Sequence, residues 1–385
     1  MEAILPMPTG KAPVMRPYFA RIDSLRGVGA LAVAGYHFAG WQLHRWPLVP
    51  QSLQQFLPGH AALMVFFVIS GFVLRVALQY GPARSGPATA KFLLARFFRI
   101  YPAVTVAICF IAFVPYCYVP TSRIPFNSSS AWDIFRNIAL LDITANGTFW
   151  ALQVEMLMVP VILATWFLER RYGPKVVTGL VIATTALAFE PHWALWQPLS
   201  HNVFAFMLGM AIPTAGYDWA WSRSRRTATL VTALSLIAMV ASGPWFGTYS
   251  HVGGLVQGYA AFVLVSMVTY RPDLLVCRVM DWPWLQRVGQ AAGSIYVFHM
   301  ATLVPTILLA HAVIPASWSD AAPVVAGVTV LTVWLLAISQ LARLGFKYIE
   351  TPGIALGRRV IKTCGLDSKA HKPFEPEALP VRKAA

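Results

Sequence analysis

The sequence predicts an all-α, polytopic membrane protein with about ten transmembrane helices and both termini in the cytoplasm. Three observations carry this reading. Of 385 residues, 57% are hydrophobic and 12% charged, and the mean hydropathy of +0.59 lies outside the range of soluble domains. Apolar runs recur at the ~20-residue length that crosses a hydrocarbon layer, without the period-two alternation of a membrane barrel. Finally, the basic residues fall into alternate connections, so that the formal net charge of +15 needs no nucleic acid to explain it.

Taken in order, the apolar runs place spans near 24–41, 60–80, 97–119, 149–168, 175–190, 198–214, 228–246, 254–270, 291–312 and 322–345. With the N-terminus inside, the inner segments receive Lys11, Arg16 and Arg21, then Arg84, Lys91 and Arg96, then Arg170, Arg171 and Lys175, then Arg223, Arg225 and Arg226, then Arg271, Arg278 and Arg287, and finally a basic tail. The outer loops receive Arg45, Arg123 and Arg136. This asymmetry gives an even number of spans. The chain divides into a cytoplasmic segment 1–20 without a secretory signal pattern, a membrane domain 21–350 and a polar tail 351–385 expected to be disordered. The longest outer loop, about 120–148, is either a structured lid or a solvated connector. Cys109, Cys117, Cys277 and Cys364 lack metal-ligand spacing, so neither a disulfide framework nor a metal site is expected.

The first span, RIDSLRGVGALAVAGYHFAG, carries Asp23, Arg26 and His37 at membrane depth, where ionisable groups need partners or water. From Arg26 to His37 is eleven residues, three helical turns plus about 20°, so both share a face about 16 Å apart along the axis. In VFFVISGFVLR, Ser70 and Gly71 open the second span to close packing. RFFRIYP sets Arg96 and Arg99 one turn apart, in place to hold phosphates or simply to anchor the interface. TFWALQVEMLMVP carries Trp150 and a costly membrane carboxylate, Glu155, and SIYVFHM puts Tyr296 and His299 on one side of the ninth span.

Together, in this order, Arg26-x10-His37, FFVISGF, Arg96-x-x-Arg99, FWALQVE, SIYVFH and the late YIETP resemble the acyltransferase family 3 membrane proteins, over about residues 20–355. The resemblance implies transfer of an acyl group, commonly acetyl, from cytoplasmic acetyl-CoA to a hydroxyl of a cell-surface, lipid-linked or secreted glycan, or of a small glycosylated metabolite. It implies an integral protein of the bacterial inner membrane, with the lipid bilayer as its surroundings and no permanently bound cofactor. Because the chain continues only about forty residues past its last span, it is expected to act alone or with a separate extracytoplasmic acyl-transfer partner.

Carried onto this sequence, the resemblance makes His37 the general base or a transient acyl carrier, since imidazole accepts a proton near neutral pH. Arg26, Arg96 and Arg99 would hold the CoA phosphates, Asp23 would orient Arg26, and Glu155 would orient His37 or the acceptor. Ser70, Trp150, Tyr296 and His299 would line the substrate path, and Glu350 would make a cytoplasmic ion pair. Two rivals use the same buried groups: a secondary transporter or flippase with His37, Glu155 and His299 as a proton relay, and a haem or quinone protein using His37 and His299.

Overall fold

The computed structural model describes residues 19–42, 55–79, 85–114, 126–189, 197–247 and 250–366, which contain helices and connecting turns and no strand. The expected N-terminal segment up to residue 18, Arg45, Arg84, Arg123, Cys117 and the tail beyond 366 lie outside these residues. The helices, in chain order, are α1 (Ala20–Gln42), α2 (Gly59–Gln79), α3 (Ser85–Phe113), α4 (Ala131–Ile138), α5 (Trp150–Tyr172), α6 (Lys175–Phe189), α7 (Val203–Ala211), α8 (Arg225–Phe246), α9 (His251–Tyr270), α10 (Pro283–Gln290), α11 (Ala292–Val313), α12 (Pro323–Gly345) and α13 (Thr351–Thr363). Shorter helical turns join some of them.

Among the described residues, seven helices are long and apolar enough to cross a membrane: α2, α3, α5, α8, α9, α11 and the continuous run from α12 through α13. Three expected spans are built differently. The charged groups of α1 lower its hydropathy, and α6 has only 15 residues. The run near 198–214 is α7 followed by a π turn at Ile212–Gly216, where Pro213 has no N–H to continue the α-helical ladder.

The stretch after Thr351, expected to be disordered, instead opens with the helix α13, reached from α12 through a second π turn, Phe346–Glu350. The described part of the longest outer loop is also ordered. Asn137 donates to the Asp133 carbonyl (2.9 Å) and to Thr144 (3.1 Å) and accepts from the Ala145 amide (2.9 Å), closing the turn after α4. Phe126, Leu140, Ala145 and Phe149 pack with Val104, Ile108, Val297 and Phe298, which presses the loop between α3 and α11.

At the centre, α2 is buried along most of its length and crosses α7 at backbone contact. A Cβ built on Gly209 would stand 2.1 Å from the Val68 carbonyl oxygen, and one on Gly71 would stand 2.0 Å from that of Phe206. Below this crossing, the buried Arg75 guanidinium donates to the Glu169 carboxylate on α5 and to the Met210 carbonyl beside the π turn. A buried charge needs such partners, and removing one of them is strongly destabilising.

Gly209→Val should therefore lower the thermal unfolding midpoint sharply, at the upper end of the ~1–3 kcal/mol typical of overpacking, because a carbonyl cannot move aside as a side chain can. Gly35→Ala, with nothing within 4 Å of the added carbon, serves as the reference. Equal midpoints for the two variants in detergent would contradict the close crossing.

Candidate active site

Two neighbouring cavities gather the polar residues of the membrane domain. The larger, about 130 Å³, is lined by Asp23, Arg26, Ser70, Arg96, Arg99, Glu155, Tyr296 and Glu350, with apolar neighbours from α2, α3 and α5. The smaller, about 30 Å³, is lined by Tyr36, His37, His60, Thr148, Trp150 and Tyr296, among others. Leu63 and Tyr296 border both, and the Tyr296 hydroxyl donates to the Thr148 carbonyl, which fixes the ring at their junction.

The geometry follows from helix approaches. A Cβ on Gly289 would fall 1.9 Å from the Asp23 carbonyl, so α10 lies directly against the start of α1 and holds Asp23 and Arg26 at the larger cavity. From Arg26, α1 climbs three turns to His37 at the smaller cavity. The Arg26 guanidinium is 4.0 Å from Asp23, and that of Arg96, which is 7% exposed, is 3.4 Å from the Glu155 carboxylate. Ser70 also donates to Glu155, at 3.4 Å. Arg99 is on the exposed side of α3, yet still lines the cavity.

Two expectations are corrected here. Glu155 pairs with Arg96 and Ser70, not with His37: α5 begins at Trp150 beside the smaller cavity, and five further residues carry Glu155 about 7.5 Å along the axis to the larger one. Glu350 is not in an interfacial ion pair. It is 6% exposed, accepts from the Ser294 hydroxyl and lines the larger cavity, with Arg99 and Arg26 in electrostatic reach.

Hydrogen bonds fix the tautomers of the two histidines. The Nδ1 of His299 lies 2.6 Å from the Tyr296 carbonyl, which can only accept, so this nitrogen carries the proton. Its Nε2 is then the acceptor for the Nδ1–H of His37, 3.2 Å away, which also points at the Val33 carbonyl at 2.9 Å. In the neutral pair His37 is thereby left with its lone pair on Nε2. His299 is fully buried and borders neither of the two cavities; it stands behind His37 instead of facing the path. Direct contact between the imidazoles also leaves no room for an iron between them.

Sequence reasoning passed over His60 and Thr148, and it gave Glu350 a different role. His60 donates from Nδ1 to Gln257 (2.6 Å), whose amide nitrogen donates to Ser242 (2.9 Å), so its ring is as firmly oriented as that of His37. Its position at the polar start of α2 was a usable signal. Thr148 contributes a backbone carbonyl, which no side-chain pattern encodes. Among the described residues, no group of three or more His, Cys, Asp or Glu is placed to hold a metal ion.

¹⁵N NMR of labelled His37 near neutral pH shows a protonated Nδ1 and a bare Nε2, and His299→Phe keeps this tautomer, because the Val33 carbonyl still accepts from Nδ1–H. A protonated Nε2 as the main species in the unsubstituted protein would contradict the tautomer assignment.

No curated protein and no solved structure matches this chain. The family model described as an acyltransferase domain does match, over residues 19–341, which takes in α1 through most of α12 and with them nearly every residue of both cavities. The chain is therefore an all-helical membrane acyltransferase belonging to acyltransferase family 3.

Proposed function

We propose that the protein transfers an acetyl or similar acyl group from acyl-CoA, entering the larger cavity, to a hydroxyl held in the smaller one, with His37 as the base. The observation that carries this reading is the oriented His37–His299 pair, which presents one unprotonated nitrogen beside a cavity of its own. In the transfer step, His37 Nε2 takes the hydroxyl proton as that oxygen bonds to the thioester carbonyl carbon. The C–S bond breaks, the ester forms, and the thiolate leaves toward the cytoplasm; the His37 imidazolium releases its proton and the thiolate takes one up, so no net proton is consumed and the base is restored. The Val33 carbonyl and His299 keep the His37 ring in the productive tautomer, and His299 shares the positive charge that develops on it. The same nitrogen could instead take the acyl group first as an acyl-imidazole, which has the same overall balance.

In this reading Arg26, Arg96 and Arg99 bind the donor, with Asp23 and Glu155 setting the directions of the first two. Ser70 and Tyr296 line the way between the cavities. Trp150 offers an aromatic face to the acceptor, a contact suited to the apolar face of a sugar. A glycan or glycosylated small molecule is the acceptor class, and a separate extracytoplasmic partner takes the acyl group onward only where the acceptor itself cannot reach the membrane. For topology, α1, the short α6 and the interrupted run through α7, added to the seven long helices, make ten crossings with both termini on the cytoplasmic side. The setting is a bacterial inner membrane. The transporter reading loses its relay, because Glu155 is paired at the larger cavity while the histidines contact each other at the smaller.

In liposomes with labelled acetyl-CoA and a glycan acceptor, His37→Ala should lose about 10²–10⁴-fold in turnover, the usual share of a general base, while inserting normally. Near-normal turnover in that variant, or solute flux without thioester consumption by the unsubstituted protein, would overturn the proposal.

A further inference from the structure

A second histidine borders the smaller cavity. α1 and α2 meet there so closely that a Cβ on Gly59 would fall 2.4 Å from the Tyr36 ring. His37 and His60 each follow one of these two contact residues in the chain, and both line the cavity of about 30 Å³. A space of that size has room for about two or three groups the size of a water or a hydroxyl. Whatever it holds therefore lies against both rings.

The direction of each hydrogen bond behind His60 is set from the far end. The Met239 carbonyl on α8 can only accept, so Ser242 donates to it, at 3.3 Å. The Ser242 oxygen then accepts from the Gln257 amide nitrogen on α9, at 2.9 Å, which turns the Gln257 carbonyl oxygen toward His60. That oxygen takes the Nδ1–H of His60 at 2.6 Å, and Nε2 becomes the acceptor end of the ring. One turn before Gln257, a Cβ on Gly254 would stand 3.7 Å from His60 Cε1. The Nδ1–Cε1 edge thus lies against α9, and the edge with Nε2 turns away from it, toward the cavity. Burying His60, Gln257 and Ser242 in series costs desolvation that apolar packing would avoid, and the transfer step described above uses none of the three.

A hydroxyl donates one hydrogen, so a ligand that meets both Nε2 atoms has to bring two. Two hydroxyls on adjacent carbons do this within one small group, and sugars carry such pairs. We propose that His60 is a second acceptor-binding residue and that the acceptor presents a vicinal diol: one hydroxyl donates to His37 Nε2 and is acylated, while its neighbour donates to His60 Nε2 and decides which oxygen reacts. This rests on the transferase reading above and narrows its acceptor class. The covalent step is unchanged: the oxygen at His37 bonds to the acyl carbon, its proton passes to His37, and the hydroxyl at His60 keeps its own.

The probes are ethane-1,2-diol and 2-methoxyethanol, which keeps one hydroxyl and the second oxygen but lacks the second donor. With acetyl-CoA and the purified full-length protein in nanodiscs, the diol should be acetylated with a kcat/KM about tenfold above that of the ether after allowance for its two equivalent hydroxyls, the worth of one hydrogen bond to a buried acceptor. His60→Phe loses this preference and keeps the KM for acetyl-CoA. Because that variant strands the Gln257 side chain, H60F/Q257L, which removes both partners, is measured beside it. A preference that survives in both variants overturns the proposal.

Binding is read separately from turnover. In ¹⁵N spectra of histidine-labelled protein, with His60 assigned by its loss in H60F, the diol shifts the bare nitrogens of His37 and His60, whereas 2-methoxyethanol shifts that of His37 alone. A His60 signal that ignores the diol, or follows both probes alike, overturns the proposal and leaves His60 a structural partner of Gln257. Shifts at both histidines without acetyl-CoA consumption would sink the transferase reading and leave the diol site standing.

Discussion

A charge inside a bilayer has to bring its partner with it, and the arrangement of this molecule follows from that constraint. Arg75 meets Glu169 across α2 and α5, Arg96 meets Glu155 across α3 and α5, and Arg26 meets Asp23 within α1. Glu350 reaches back to Ser294 on α11 and toward Arg99 on α3. These pairings tie together helices far apart in sequence, and three of the four sites border one cavity. Glycines at the crossings let backbones approach closely enough for the side chains to meet, as at Gly289 against Asp23.

The same constraint separates charged from uncharged surroundings. Charged groups collect at the larger cavity, where Arg26 and Arg96 stand beside carboxylates, while the smaller cavity has two imidazoles, a backbone carbonyl and aromatic rings. A base that must take a proton from a hydroxyl works best without a nearby fixed cation, which would oppose the imidazolium. Three helical turns between Arg26 and His37 supply that separation, and Tyr296, held by Thr148, stands where the two spaces meet.

Much of this was legible in the sequence. Arg26 and His37 on one helical face, and Arg96 with Arg99, could be read from spacing, Glu155 from the cost of charge in an apolar run, and the ordered motifs pointed to the family that the matched region shows. What was not legible depends on contacts between distant segments or on the backbone. The direction of Glu155 depends on where α5 starts, and the burial of Glu350 depends on a π turn that brings it back against α11. His299 became a partner of His37 only when α1 and α11 were side by side. The order in α13 was hidden for a different reason: composition made it look like a solvated tail, while its two glycines four apart carried the packing signal.

The central claim is that donor and acceptor occupy connected but separate spaces, opening toward opposite faces of the membrane. Proteoliposomes sorted by orientation test it most directly, with membrane-impermeant acetyl-CoA on one side and a soluble glycan acceptor on the other. Turnover should occur only when the donor is on the side of α10 and α13 and the acceptor is opposite. Equal turnover with both on the same side, or with the sides exchanged, would contradict the account.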